Sequence, residues 1–318
     1  MRTAFLNALS EIARRDPRVV LLTGDLGYLA LESFRAEFPD RFYNVGVSEQ
    51  NMIGVATGLA EAGFIPFAYS IATFAALRPF EFVRNGPVLH RLPVRVVGMG
   101  MGFEYGPQGP THHAVEDVGV MRTLPGLTVV IPADHAQAAA ALRATWSSEG
   151  PIYFSLGKDD RTTISGLDGR FELGSLQVLR PADGSIAILS MGSITTEAVR
   201  AADLLAAEGH RVGLAVVSTF NPAPVEDLVR FLGRSSGAIT VEAHVVAGGL
   251  GAQVAEVIAE RSLSCPLRIH AVRRSPDGRS GSQAALWRKH GLDHESLVRS
   301  ARSLLSPPAK TSPAKTSR

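Results

Sequence analysis

The residues of this sequence able to do chemistry stand where short apolar runs end. Asp25 follows the run Val19-Val20-Leu21-Leu22, and Glu49 lies in Gly46-Val-Ser-Glu-Gln-Asn-Met52. Phe74 follows a third apolar run, and Gln108, His112 and His113 sit in the glycine-rich stretch 98–113. Two carboxylates and two imidazoles are candidate general acids and bases, and Phe74 is a candidate apolar wall for a ligand. A further cluster, Gly248-Gly-Leu-Gly251, opens a helical pattern and has the form of a phosphate cradle. Each also has an ordinary structural reading. Asp25 can serve as a turn residue, Glu49 can complement a helix dipole, and Phe74 can be core. Adjacent histidines lack a chelating helical spacing. Residue types and spacing alone stop at an α/β enzyme whose reaction is open.

The elements that must position these residues follow from periodicity. Apolar residues at helical spacing predict a helix over residues 2–16, and the aliphatic run 19–22 predicts a buried strand ending in a loop. A short strand at 42–45 comes next, then a helix N-capped by Ser48 that stops at Gly63. A strand at 65–67, a helix at 73–85 and a strand at 94–98 lead into the glycine-rich stretch. Helix 115–121, strand 128–131, helix 136–145 and strand 152–154 complete the first unit. The polar stretch 158–174 marks a boundary. Alternation then resumes with strands at 186–189, 212–217, 238–241 and 267–271. Helices at 194–208, 224–233 and 250–262 separate them, and two more at 282–289 and 294–305 follow. This order predicts an α/β fold of two doubly wound units, each a mainly parallel sheet with helices on both faces. The expected domains are residues 1–165 and 175–305, and the tail 306–318, with its repeated Pro-Ala-Lys-Thr-Ser, is expected to be disordered. In such sheets ligands bind beyond the carboxyl ends of the strands, where Asp25, Glu49, Phe74 and the histidines fall.

Composition narrows the class of partner. The 318 residues are 45% hydrophobic and 19% charged, with a formal net charge of +2. That balance gives no electrostatic reason to expect nucleic acid or a membrane surface. Cys265 is the single cysteine, so no intrachain disulfide framework exists. With no apolar run of spanning length and no secretory pattern, the expected location is cytoplasmic.

Taken together, the chain resembles the C-terminal half of a transketolase over nearly all of residues 2–305. Val47-Ser-Glu-Gln-Asn-Met52 resembles the segment carrying that family's cofactor glutamate, and Gly109-Pro-Thr-His112 its histidine loop. Pro132-Ala-Asp134 resembles a later turn, and Thr240-Val-Glu-Ala-His244 with Gly248-Gly-Leu-Gly251 the C-terminal domain. The resemblance implies thiamine diphosphate as cofactor and Glu49 as the carboxyl on pyrimidine N1′, able to hold and return a proton. It implies that Phe74 stacks on the aminopyrimidine, that Asp25 lies near the cofactor at a subunit interface, and that His112 contacts the sugar and assists proton transfer. Arg2 matches an arginine that holds the substrate phosphate.

The Gly-Asp-Gly motif that binds Mg2+ and the diphosphate is missing from this sequence, where Gly24-Asp25 is followed by Leu26. The resemblance therefore implies a split transketolase whose partner, an N-terminal-half subunit with Gly-Asp-Gly, supplies the metal ligands in an α2β2 heterotetramer. Substrate positions depart from the family's pattern. Lys158 stands for a second phosphate-binding arginine, Leu29 for a phosphate-binding serine, Gly100 for a substrate-contacting histidine and Gln108 for an aspartate. These departures suggest transfer of a two-carbon ketol unit between sugar phosphates other than the ordinary pentose phosphates. Competing readings are the β subunit of a 2-oxoacid dehydrogenase, a deoxyxylulose phosphate synthase-like carboligase, and a non-catalytic subunit that kept the fold.

Overall fold

A computed structural model describes residues 1–184, 186–274 and 278–305. The expected disordered tail lies outside these residues. The strands are β1 (Val19–Thr23), β2 (Phe42–Asn44), β3 (Ile65–Ile71), β4 (Arg95–Met99), β5 (Thr128–Val130), β6 (Ile152–Leu156), β7 (Leu176–Arg180), β8 (Ile186–Met191), β9 (Val212–Val217), β10 (Gly237–Val245) and β11 (Leu267–Val272). The helices are α1 (Arg2–Arg15), α2 (Glu32–Glu37), α3 (Glu49–Glu61), α4 (Ala72–Leu77), α5 (Phe80–Val83), α6 (Asp117–Met121), α7 (His135–Thr145), α8 (Thr195–Ala207), α9 (Val225–Leu232), α10 (Leu250–Glu260), α11 (Gln283–Lys289) and α12 (His294–Leu305).

Two sheets result, with strand orders β2-β1-β3-β4-β6-β5 and β11-β10-β8-β9-β7. All pairings of the first sheet are parallel. Its inner strands read as mainly apolar runs because helices cover both faces; every residue of β1, β4 and β6 is buried, Arg95 and Ser155 included. The units are joined by backbone as well as by side chains. Ile131 N–H donates to Ser218 at 2.8 Å, and Val245 N–H donates to Val115 at 2.8 Å. Phe103 and Val115 pack into the core of the second unit.

Several elements differ from their sequence reading. The expected helix 73–85 is two short helices, α4 and α5, broken at Pro79, followed by a wide turn over Arg84–Val88 that takes up Pro87. Proline removes a backbone donor and crowds the preceding turn, so the helix is interrupted there. Leu176–Arg180 is an edge strand, antiparallel to β9, in a stretch whose mixed burial hides its strand character. α2 was not read either. Strand β3 runs on to Ile71, which brings Ser70 to the carboxyl end of the sheet. Ser48 is at the N-cap of α3, but its hydroxyl donates to the Val45 carbonyl at 2.9 Å instead of capping the helix.

Candidate functional site

The carboxyl ends of β1 and β3 converge on the first residue of α3. Glu49 is 1% exposed, and its two oxygens have separate partners. The Ser70 hydroxyl donates to Oε1 at 2.9 Å, and Arg78 Nη1 donates to Oε2 at 2.8 Å. The Arg78 guanidinium lies 3.9 Å from the centroid of the Phe74 ring, a cation–π stack. Phe74 is half-buried, with its ring partly open beside Glu49. Its ring meets the His112 ring edge-to-face at 5.1 Å. The structure thus brings together Glu49, Phe74 and His112, and adds Ser70 and Arg78.

The two adjacent histidines part company. His112 turns toward Phe74, and its Nδ1 lies 2.9 Å from the Thr111 hydroxyl. His113 is buried in a T-shaped contact with Phe103, and its desolvation lowers the imidazole pKa from the usual value.

A second cluster surrounds Tyr105. Lys158 Nζ lies 4.1 Å from the centroid of that ring, and the ring is 6.2 Å from that of His112. Burial pushes the Tyr105 phenol up, while the nearby Arg2 charge acts the other way. Arg2 Nε is buried without a hydrogen-bond partner, a donor directed into the protein with its capacity unspent. Gln108 lies exposed on the turn after Tyr105. Asp25 stands at the rim, exposed, where Asn44 Nδ2 donates to its carboxylate at 2.8 Å. Asp25 and Leu29 both adopt left-handed backbone, φ 56° and 61°. Such conformations are costly for side chains larger than glycine and concentrate at functional loops.

Residues 1–162 match the model of the transketolase pyrimidine-binding domain, and residues 174–297 that of the transketolase C-terminal domain. The chain belongs to the transketolase family. A putative transketolase C-terminal section from Methanocaldococcus jannaschii is 34% identical over 303 residues, 94% of either chain. A 6-deoxy-6-sulfo-D-fructose transketolase subunit from a Clostridium species is 35% identical over 303 residues, 95% of this chain and 93% of that one. The solved structure of a split-gene transketolase, an inactive β4 tetramer, superposes with a TM-score of 0.84 at 35% identity, covering 96% of this chain and 97% of that one.

Two features of this chain follow from its glycines. Gly100 has φ +86°, and a Cβ there would overlap the Tyr105 ring. Tyr105 therefore fills the space beside position 100, and sequence reading did not single it out. The signal was present in the run Gly100-Met-Gly-Phe-Glu-Tyr-Gly106, where a lone tyrosine among glycines has room to fold back. The cluster 248–251 is not a free phosphate cradle. Glu242 fills it, accepting from Leu250 N–H at 2.6 Å and Gly251 N–H at 2.8 Å, so the amides at the start of α10 are already occupied. Arg78 and Ser70 were missed too; Arg78 falls four residues after Phe74, where a helical turn places both on one side.

Proposed function

We propose that this chain is the pyrimidine-binding subunit of a split, thiamine diphosphate-dependent transketolase-like enzyme that transfers a two-carbon ketol unit between sugar phosphates. One observation carries the reading: a buried glutamate beside a half-buried aromatic ring, with a planar cation resting between them. The Arg78 guanidinium lies on Phe74 and donates to Glu49, so a flat group bearing an N–H edge fits there. An aminopyrimidine protonated at N1′ has that chemistry. Glu49 would accept from the ring nitrogen and hold or return its proton, and Phe74 would support the ring face. Bound there, thiamine diphosphate supplies the nucleophilic carbon that carries the ketol unit.

The remaining residues divide by distance from that ring. His112, edge-on to Phe74, is placed to exchange a proton with a substrate hydroxyl. Arg2 and Lys158, grouped about Tyr105, would hold an anionic end of the sugar, and Gln108 would face a hydroxyl. Lysine offers a point charge where a second arginine would grip bidentately, which suits an altered or differently placed anion. The Clostridium relative named for a sulfonated sugar supports the same direction.

Mg2+ and the diphosphate would be held by another polypeptide. Among the described residues no group of three or more His, Cys, Asp or Glu could hold a metal ion. Tyr28, Leu29 and Val47, on the loops flanking Glu49, are 73%, 93% and 71% exposed, apolar surface of the kind a subunit interface covers. Asp25 would meet the partner at this rim. The expected complex is an α2β2 heterotetramer with a subunit carrying Gly-Asp-Gly. Purified chain is expected to show no ketol transfer with thiamine diphosphate and Mg2+, and to gain it when that subunit is added. Turnover by the chain alone would refute the split design.

A further inference from the structure

Arg78 is a residue for which the proposed reaction has no use, yet it occupies the centre of the site. It follows the last turn of α4, four residues after Phe74. Its guanidinium makes two contacts at once, 3.9 Å above the Phe74 ring and 2.8 Å from Glu49 Oε2. A guanidinium is planar, delocalised and cationic, with N–H donors around its edge. A protonated aminopyrimidine shares all of these properties. The contacts the ring would make on this face of Phe74 and at this oxygen of Glu49 are therefore already made, and two planar groups cannot lie in one place.

Glu49 is almost completely shielded, whereas the Arg78 side chain is 39% exposed. The arginine can swing into solvent without disturbing the core. Its departure alone would leave a buried carboxylate facing only the Ser70 hydroxyl, which is unfavourable. Departure is thus coupled to arrival of another cationic donor. We propose that Arg78 is an internal stand-in for the aminopyrimidine, and that it sets the chain's affinity for that ring by having to be displaced from Glu49 and Phe74. This rests on the cofactor reading above. Until the ring enters, the guanidinium neutralises Glu49 and keeps the place shaped; afterwards it lies outside the ring site.

The test uses the full chain and the pyrimidine half of the cofactor alone, 4-amino-5-hydroxymethyl-2-methylpyrimidine, whose binding needs no diphosphate site. Affinity is measured by titration calorimetry and ligand-observed NMR for wild type, Arg78→Ala, Arg78→Lys and Arg78→Ala/Glu49→Gln, with circular dichroism to confirm folding. If the competent state is a minor fraction in wild type, apparent affinity is reduced by that fraction. Arg78→Ala is expected to bind about tenfold more tightly than wild type, corresponding to a competent fraction of about one in ten. Arg78→Lys, with the charge but no planar stack, should fall between them. The double variant should lose the gain, because the ring then lacks its carboxylate. Equal binding by wild type and Arg78→Ala would overturn the stand-in role while leaving the pyrimidine site intact. Weaker binding by Arg78→Ala would also overturn it, making Arg78 a ligand contact. Absence of binding by every Glu49-containing chain would remove the cofactor reading and the stand-in with it. Should Arg78→Ala misfold, Arg78→Met keeps the stem and is read against the same outcomes.

Discussion

Glu49 shows how much a single residue owes to its surroundings. A glutamate in a first helical turn is ordinarily explained by the helix dipole. Here it is buried, with Ser70 on one oxygen and Arg78 on the other, and Phe74 and His112 continue the line of contacts. Their places after strands, with the resemblance of the motif around Glu49, marked Glu49, Phe74 and His112 as candidates, and the fold brings these three together. Arg78, Ser70 and Tyr105 were not so marked, because their roles arise from contacts between separate segments. Ser70 needed β3 to extend past its expected end, and Tyr105 needed Gly100 to make room. Tyr105 also yields a prediction. Tyr105→Ala in the reconstituted complex is expected to open the substrate end, raising KM for the native sugar and relaxing discrimination between ketose donors. A steady-state comparison of kcat/KM across donors checks this; an unchanged ranking would show that Tyr105 does not face substrate.

At the scale of elements, apolar runs alternating with helical patterns exposed both sheets, since parallel strands covered on two faces are mostly apolar. The edge strand β7 escaped because only its first two residues are buried, and the break between α4 and α5 escaped because a proline within a helical pattern does not say how far the helix is interrupted. The join between the units has its own chemistry. Within the second unit Glu242 of β10 accepts from two amides of α10, and, two residues on, His244 Nε2 accepts from Gly119 N–H at 3.0 Å across the boundary. A Cβ on Gly249 would overlap the Glu242 carboxylate, which burial prevents from moving aside. Gly249→Ala is therefore expected to cost about 2–4 kcal/mol by breaking a buried network, read as a lowered denaturation midpoint. A midpoint equal to wild type would show that the network relaxes freely.

Burial also pushes the Glu242 carboxyl up from 4.5 to about 8, with the two amide donors acting against the shift. The folded chain then keeps a proton that the unfolded chain releases, so this contribution to stability is full below about 4.5 and is lost as pH rises through 8. Melting temperatures between pH 5 and 8.5 should fall with pH in wild type, and the fall should be smaller in Glu242→Gln. Identical slopes would contradict that assignment.

For the whole molecule, the two units form half of a catalytic apparatus under the split-enzyme account. No helix among the described residues is long and apolar enough to cross a membrane. The exposed residues Tyr28, Leu29 and Val47 border the loops that carry Asp25 and Glu49, so the proposed interface and the proposed site share their loops. Charge reversal at this rim, Asp25→Lys, is expected to weaken assembly with the partner more than it perturbs the fold of the free chain. Sedimentation of the mixture, set beside the chain's own melting curve, separates the two effects. Under the proposed function Glu49 serves the cofactor ring. The most direct test of that role is the exchange rate of the thiazolium C2 proton in the reconstituted complex, followed by quenched-flow NMR. The account expects Glu49→Gln to slow that exchange by roughly 10²–10⁴-fold, the range typical of a lost proton-transfer group, with the cofactor still bound. Exchange at the wild-type rate in the loaded variant would contradict it.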